Sequence, residues 1–138
     1  MRIEIQAPKN FEAKYGSSEI VRVFLDEIEK KVGNACDQDT IRILHISLLI
    51  AHPDEIAKGK FVEYEKFDWR LGYAAIGVNG DYHKYLLGDD LKKIEVIAQM
   101  LQVAFSKVSK KRKSNFNGKL ANTIVMEITG NFLKGTSW

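Results

Sequence analysis

Between Ile41 and Ala51 the chain places Ile41, Ile43, Leu44, Ile46, Leu48, Leu49 and Ile50 at both odd and even positions. A strand sends successive side chains to opposite faces, so apolar residues at both parities call for cover on both faces. That predicts a central strand, and the other elements have to be arranged around it. His52-Pro53 ends the run, because proline cannot donate to a ladder.

The segments on either side have simpler periods. Residues 2–7 read as a first strand, with Ile3 and Ile5 on one face and Pro8 as its stop. Lys9 to Gly16 is a connection, after which Ser17 or Ser18 can cap a helix by accepting from an unpaired backbone N–H. Ile20, Phe24 and Ile28 then recur four apart, with Val21, Leu25 and Val32 beside them. This is an apolar stripe of helical period, and Gly33-Asn34 supplies a stop. Phe61–Phe67 and Trp69–Val78 read as further strands with a short break near Asp68. Asn79-Gly80 follows, a strong hairpin signal, predicting a return strand over Asp81–Leu87 that sets Ile76 against His83 and Ala74 against Tyr85. Asp89 or Asp90 caps a long helix whose apolar face includes Leu91, Ile94, Ile97, Leu101, Phe105 and Val108. Residues 119–133 fit either a helix or a strand, since Thr123, Ile124, Val125, Ile128 and Thr129 are β-branched. The spacing of Leu120, Ile124, Ile128 and Phe132 favours the helix.

Helices bracketing a run of strands predict the α+β class. The expectation is an antiparallel or mixed sheet of about five strands with two or three helices packed against it. At 138 residues, residues 1–138 are expected to form a single domain. No apolar run approaches the length needed to span a bilayer, so no membrane association is expected. The opening Met1-Arg2-Ile3-Glu4-Ile5-Gln6 has the alternation of a strand and lacks a signal peptide's apolar block. With one cysteine, Cys36, these features predict a cytoplasmic protein.

Chemistry-bearing patterns are sparse. His45 lies in the most apolar strand, where a histidine with a satisfied partner is the plainer reading. His52 precedes proline and reads as a turn residue. His83, between Tyr82 and Tyr85 and after Asp81, is the best catalytic histidine, although a hairpin strand would expose polar residues there anyway. His45 and His52 are seven apart, which puts them on opposite faces of a strand. Asp37 and Asp39 lack the glycine and distal glutamate of a calcium loop. No strand-to-helix glycine loop suits a nucleotide. No catalytic residue, metal or cofactor is therefore assigned, and the chain is not expected to be an enzyme.

Surface charge says more. Lys107, Lys110, Lys111, Arg112, Lys113 and Lys119 fall in a stretch with no acidic residue. Asp54–Asp68 leans acidic, with five carboxylates against three lysines. Glu63 and Glu65 alternate along a strand and share a face with Phe67. With Asp68, Arg70, Tyr82 and Tyr85 they form the candidate partner-binding set, in which arginine and tyrosine are types that dominate binding hot spots. Lys110, Lys111, Arg112 and Lys113 are the alternative, a nucleic-acid contact acting by counterion release. Cations are also favourable at a helix C-terminus for a local reason.

The opening strand Met1–Ala7, the Phe67-Asp68-Trp69-Arg70 entry to a hairpin and the helix from Asp89 into Lys110-Lys111-Arg112-Lys113 carry a resemblance. In layout, without a shared motif, the chain resembles the small immunity proteins of bacterial contact-dependent growth inhibition and related polymorphic toxin systems. The resemblance implies a stoichiometric inhibitor that binds a cognate protein toxin, often a nuclease, and covers its active site. It implies no particular binding residue. For a basic toxin the Asp54–Asp68 segment would do the contacting, with carboxylates replacing phosphates. The net charge of +3 suits a toxin with an acidic or mixed entrance better. A nucleic-acid-binding accessory protein is the second expectation, and a small enzyme hinging on His83 the third.

Overall fold

A computed structural model describes residues 1–6, 19–35 and 39–135. Pro8, Lys9 to Gly16, the candidate caps Ser17 and Ser18, Cys36 and Asp37 lie outside the described residues.

The apolar run at 41–51 does form a central strand. β1 (Arg2–Gln6) and β4 (Tyr73–Asn79) flank β2 (Ile43–Leu49), both parallel to it, and β3 (Tyr64–Asp68) pairs antiparallel with the far side of β4. The sheet is thus mixed and four-stranded, in the order β1-β2-β4-β3. Among the described residues five helices accompany it: α1 (Glu19–Ala35), α2 (Pro53–Ala57), α3 (Tyr82–Leu87), α4 (Asp90–Ser109) and α5 (Gly118–Lys134). The class is α+β as expected, with one strand fewer and more helices than the sequence suggested.

The missing strand is the one assigned to Asp81–Leu87, which is helix α3. Asn79-Gly80 makes no hairpin. Asp81 Oδ1 instead accepts from Lys84 N at 3.0 Å and caps the helix. Gly80 does not adopt positive φ; a Cβ there would run into the Met100 side chain on α4. Close approach of backbone to helix, not turn geometry, explains that glycine. The hairpin forms earlier, where Trp69-Arg70-Leu71-Gly72 joins β3 to β4. Gly72 supplies the left-handed residue at φ 67°, and Asp68 Oδ1 accepts from Leu71 N at 3.2 Å.

His52 also starts a helix that the sequence reading treated as a turn. Its ring Nδ1 accepts from Asp54 N at 3.1 Å, and Pro53 opens α2 without needing an N–H partner. Gly33 and Asn34 lie inside the last turn of α1 rather than stopping it. For residues 119–133 the helix is the outcome: Asn117 caps α5 at Leu120 N, and Gly135 ends it at φ 69°. The β-branched threonines are accommodated by donating back, Thr123 Oγ1 to Lys119 O and Thr129 Oγ1 to Val125 O.

One face of the sheet carries the core. Leu44, Ile46 and Leu48 of β2 share it with Ala74, Ile76 and Val78 of β4 and Ile3 of β1. α4 lies on β4 and β2, α1 lies beside β1, and α5 packs across α1 and α4. Phe24 meets Phe132 edge to face, with ring centroids 5.3 Å apart. The free edge of β1 is blunted by Glu29 of α1, whose carboxylate accepts from Ile3 N at 2.6 Å.

The opposite face departs from the expectation of uniform cover. Ser47 is fully buried and Leu49 nearly so, yet Ile43 is 55% exposed. On this face Tyr64 Oη donates to Ser47 Oγ at 2.8 Å and Gln6 Nε2 to the same oxygen at 3.2 Å. Gly77 makes room for the Tyr64 ring, which would collide with any Cβ at that position. None of the described helices is long and apolar enough to cross a membrane.

Candidate functional site

The acidic and basic segments meet each other. Glu65 lies on β3 and Glu63 immediately before it. Lys107 lies in the last turn of α4, and Lys111 lies just past its C-terminal cap Lys110. The two pairs face one another, with Lys107 Nζ 3.5 Å from Glu63 and Lys111 Nζ 3.3 Å from Glu65. Lys111 also lies over the Phe67 ring, 5.0 Å from its centroid. The other Glu63 oxygen accepts from Asn79 N at 2.8 Å. All four heads are partly exposed, so each pair contributes about 0.2–1 kcal/mol to stability. The larger consequence concerns surface charge: two carboxylates of the candidate acidic patch and one lysine of the alternative basic patch are already neutralised within the chain.

The remaining candidate residues do not form one surface. Asp68 holds the β3–β4 turn. Tyr85, expected on an exposed strand face, is 1% exposed under α4, with Lys93 Nζ 5.7 Å from its ring centroid. Burial, with a smaller contribution from the Asp90 carboxylate, pushes its hydroxyl pKa up to about 12. Tyr82 is half-buried at the carboxyl ends of the parallel strands, among His52 and His83 with centroids 5.2–5.5 Å apart and edge-to-face. Of the six, only Arg70 is both exposed and outside any ion pair.

Arg70 belongs to a different group. The turn after β3 brings Trp69, Arg70 and Leu71 to the end of the sheet where β2 begins. Arg42 and Ile43 arrive there because Gly72 O accepts from Arg42 N at 2.7 Å and from Ile43 N at 3.0 Å. Lys113 is delivered by the loop after α4. That loop is anchored by Phe116, buried beside Phe105, and by Asn115 N donating to Thr40 Oγ1 at 3.2 Å. Arg42, Trp69, Arg70 and Lys113 line one cleft of about 290 Å³ with Asp39 and Thr40. Beside it stand the exposed aliphatics Leu71, 61% accessible, and Ile43. Trp69 is fixed by stacking on Phe67, with centroids 5.1 Å apart and 16° between planes.

The sequence points to Arg70 and, in the basic alternative, to Lys113, and to Trp69 as a ring of the same segment whose plainer reading is core; Arg42, Ile43 and Leu71 are not among its binding candidates. The one available signal was the local Trp-Arg-Leu-Gly run. Nothing local ties it to Arg42 or Lys113, which are distant in the chain.

Two histidines occupy other positions. His45 Nε2 is 3.2 Å from Glu4 Oε2 on the open sheet face. His83 is exposed and in ring contact with His52 and Tyr82. Among the described residues no group of three His, Cys, Asp or Glu side chains converges to hold a metal. Compared with protein-family models, curated proteins and solved structures, the chain matches none.

Proposed function

We propose that this chain is a protein-binding inhibitor of the immunity type, which neutralises a cognate toxin by stoichiometric binding. The observation that carries the reading is the end of the sheet at the β3–β4 turn. There Leu71 and Ile43 are more than half exposed beside Trp69, Arg70 and Arg42. Tryptophan and arginine are enriched in binding hot spots, and exposed aliphatics close to them in the chain offer apolar area for a partner to cover.

The charge pairing between β3 and α4 changes which toxin surface such an inhibitor suits. With Glu63 and Glu65 engaged by lysines, mimicry of a phosphate chain by the 54–68 segment loses its main carboxylates. The cationic end fits an acidic surface instead. The entrance of a metal-dependent nuclease, lined by carboxylates that hold its ions, is one of that kind.

The test is a pull-down of the tagged chain from its host lysate after nuclease treatment, run beside an Ile43→Asp/Leu71→Asp variant. A single stoichiometric protein captured by the parent and lost by the variant is the expected result, together with protection when that protein is expressed as a toxin. Equal capture by the variant overturns this surface.

A nucleic-acid-binding accessory role is the second reading. It is favoured by one observation: of Lys110, Lys111, Arg112 and Lys113, only Lys111 is drawn into an ion pair among the described residues. It predicts recovery of nucleic acid alone, with affinity falling steeply in salt.

A further inference from the structure

We infer that the cleft between Arg42, Arg70, Lys113 and Trp69 is a carboxylate pocket, built to receive a glutamate or aspartate side chain from an acidic, leucine-type segment of a protein partner. The inference rests on the protein-binding reading and specifies the chemistry of the partner.

Three cations from three separate segments line a cleft of about 290 Å³, and among the described residues Asp39 is the one carboxylate in its wall. Asp39 already has an interaction of its own, whereas no carboxylate partner is found for Arg42, Arg70 or Lys113 among the described residues. Elsewhere the chain does pair its lysines, with Glu63, Glu65, Glu27 and Glu95. Holding like charges together without a counter-charge costs free energy that an incoming anion returns. Arginine offers a planar fork that takes both oxygens of a carboxylate at once.

The scaffold around the cleft is fixed before any ligand arrives. Gly72, at φ 67°, lets the Arg42 stem pass against its backbone, and a Cβ there would press on Arg42 Cγ. The loop bearing Lys113 is held by Phe116 and Thr40. Preorganised cations lose less entropy on binding than mobile ones.

Two features select a peptide over a nucleic-acid strand. Trp69 gives one of its ring faces to Phe67, so it cannot supply the successive stacking platforms that single strands use. Leu71, between Arg70 and Gly72 of the lining, and Ile43, next in the chain to Arg42, are exposed aliphatics, which suit apolar side chains and have no counterpart in a phosphate backbone.

The experiment uses the full chain with Trp138→Phe, so that emission reports Trp69 alone. The titrant is a blocked peptide of alternating glutamate and leucine, with oligothymidylate and inorganic phosphate as parallel titrants. Saturable change with the peptide, weaker at high salt, is expected. Arg70→Lys, which keeps the charge and loses the fork, should weaken binding about tenfold. Arg42→Gln/Arg70→Gln should abolish it, while Lys84→Gln leaves it unchanged. Matching urea midpoints show that these variants fold. Absence of a saturable change, unaffected binding by Arg42→Gln/Arg70→Gln, or tighter binding of oligothymidylate or phosphate than of peptide would overturn the pocket. The two readings fail separately. A partner that needs Leu71 but ignores Arg42 and Arg70 leaves the inhibitor standing without the pocket. Peptide binding with no partner dependent on Leu71 leaves the pocket standing alone.

Discussion

Lys111 Nζ lies 3.3 Å from Glu65 and over the Phe67 ring, joining the end of α4 to the edge strand β3. Reversing one charge sets like charges against each other, whereas reversing both restores attraction. Lys111→Glu should lower stability by up to about 1 kcal/mol, and Glu65→Lys/Lys111→Glu should recover most of that loss. Urea unfolding at low and high salt gives the answer. No recovery in the swap would mean that the pair contributes nothing to stability.

The same pairing predicts a negative result for binding. Because Glu63 and Glu65 face lysines of their own chain, Glu63→Gln/Glu65→Gln should leave partner association within about twofold, while rim charges that do meet a partner act on the encounter rate. Surface plasmon resonance of the two proteins reads this directly. A large drop in association would return the acidic segment to the interface.

Tyr85 gives the alkaline limit. Its hydroxyl keeps the proton up to about 12 when folded, against about 10 in an unfolded chain. The folded state therefore binds more protons between those values, and stability falls as pH rises from 10 towards 12, having been fully present below 10. The loss across that window is on the order of 3 kcal/mol. Tyr85→Phe should flatten this alkaline slope in urea midpoints, and tyrosinate absorbance should lose its last-titrating step. Equal slopes in parent and variant would exclude Tyr85 as the source.

Gly80→Ala tests why that glycine is there. If close packing is the reason, the added methyl meets Met100 on α4 and costs about 1–3 kcal/mol. The cost should shrink when measured in a Met100→Ala background, which opens space. A turn requiring positive φ would penalise alanine equally in both backgrounds, so an unchanged cost sinks the packing account.

On the open sheet face, Tyr64→Phe removes the 2.8 Å bond to buried Ser47 and should cost about 1 kcal/mol. Ser47→Ala added to it should cost less than Ser47→Ala alone, since the two share one bond. Additive losses in thermal or urea unfolding would show the bond to be energetically idle.

The sequence by itself determined the elements whose signal is local. The stripe Phe24–Ile28–Val32, the cap at Asp89 and the apolar run of β2 each follow from period or from a side chain that reaches a nearby backbone group. Residues 119–133 stay open between helix and strand in the sequence, and the structure makes them a helix ended by Asn117 and Gly135. Asn79-Gly80 misled because a hairpin signal and a tight helix approach both ask for glycine. Only packing against Met100 separates the two. The functional surface depended on tertiary structure almost entirely. Whether Glu65 is free or paired is set by a helix that starts more than twenty residues later, and the cleft joins Arg42, Arg70 and Lys113 from three separate segments. Periodicity fixes which face a side chain takes. Which charges meet across that face is fixed by the register of one element on another, and that exists only once the chain has folded.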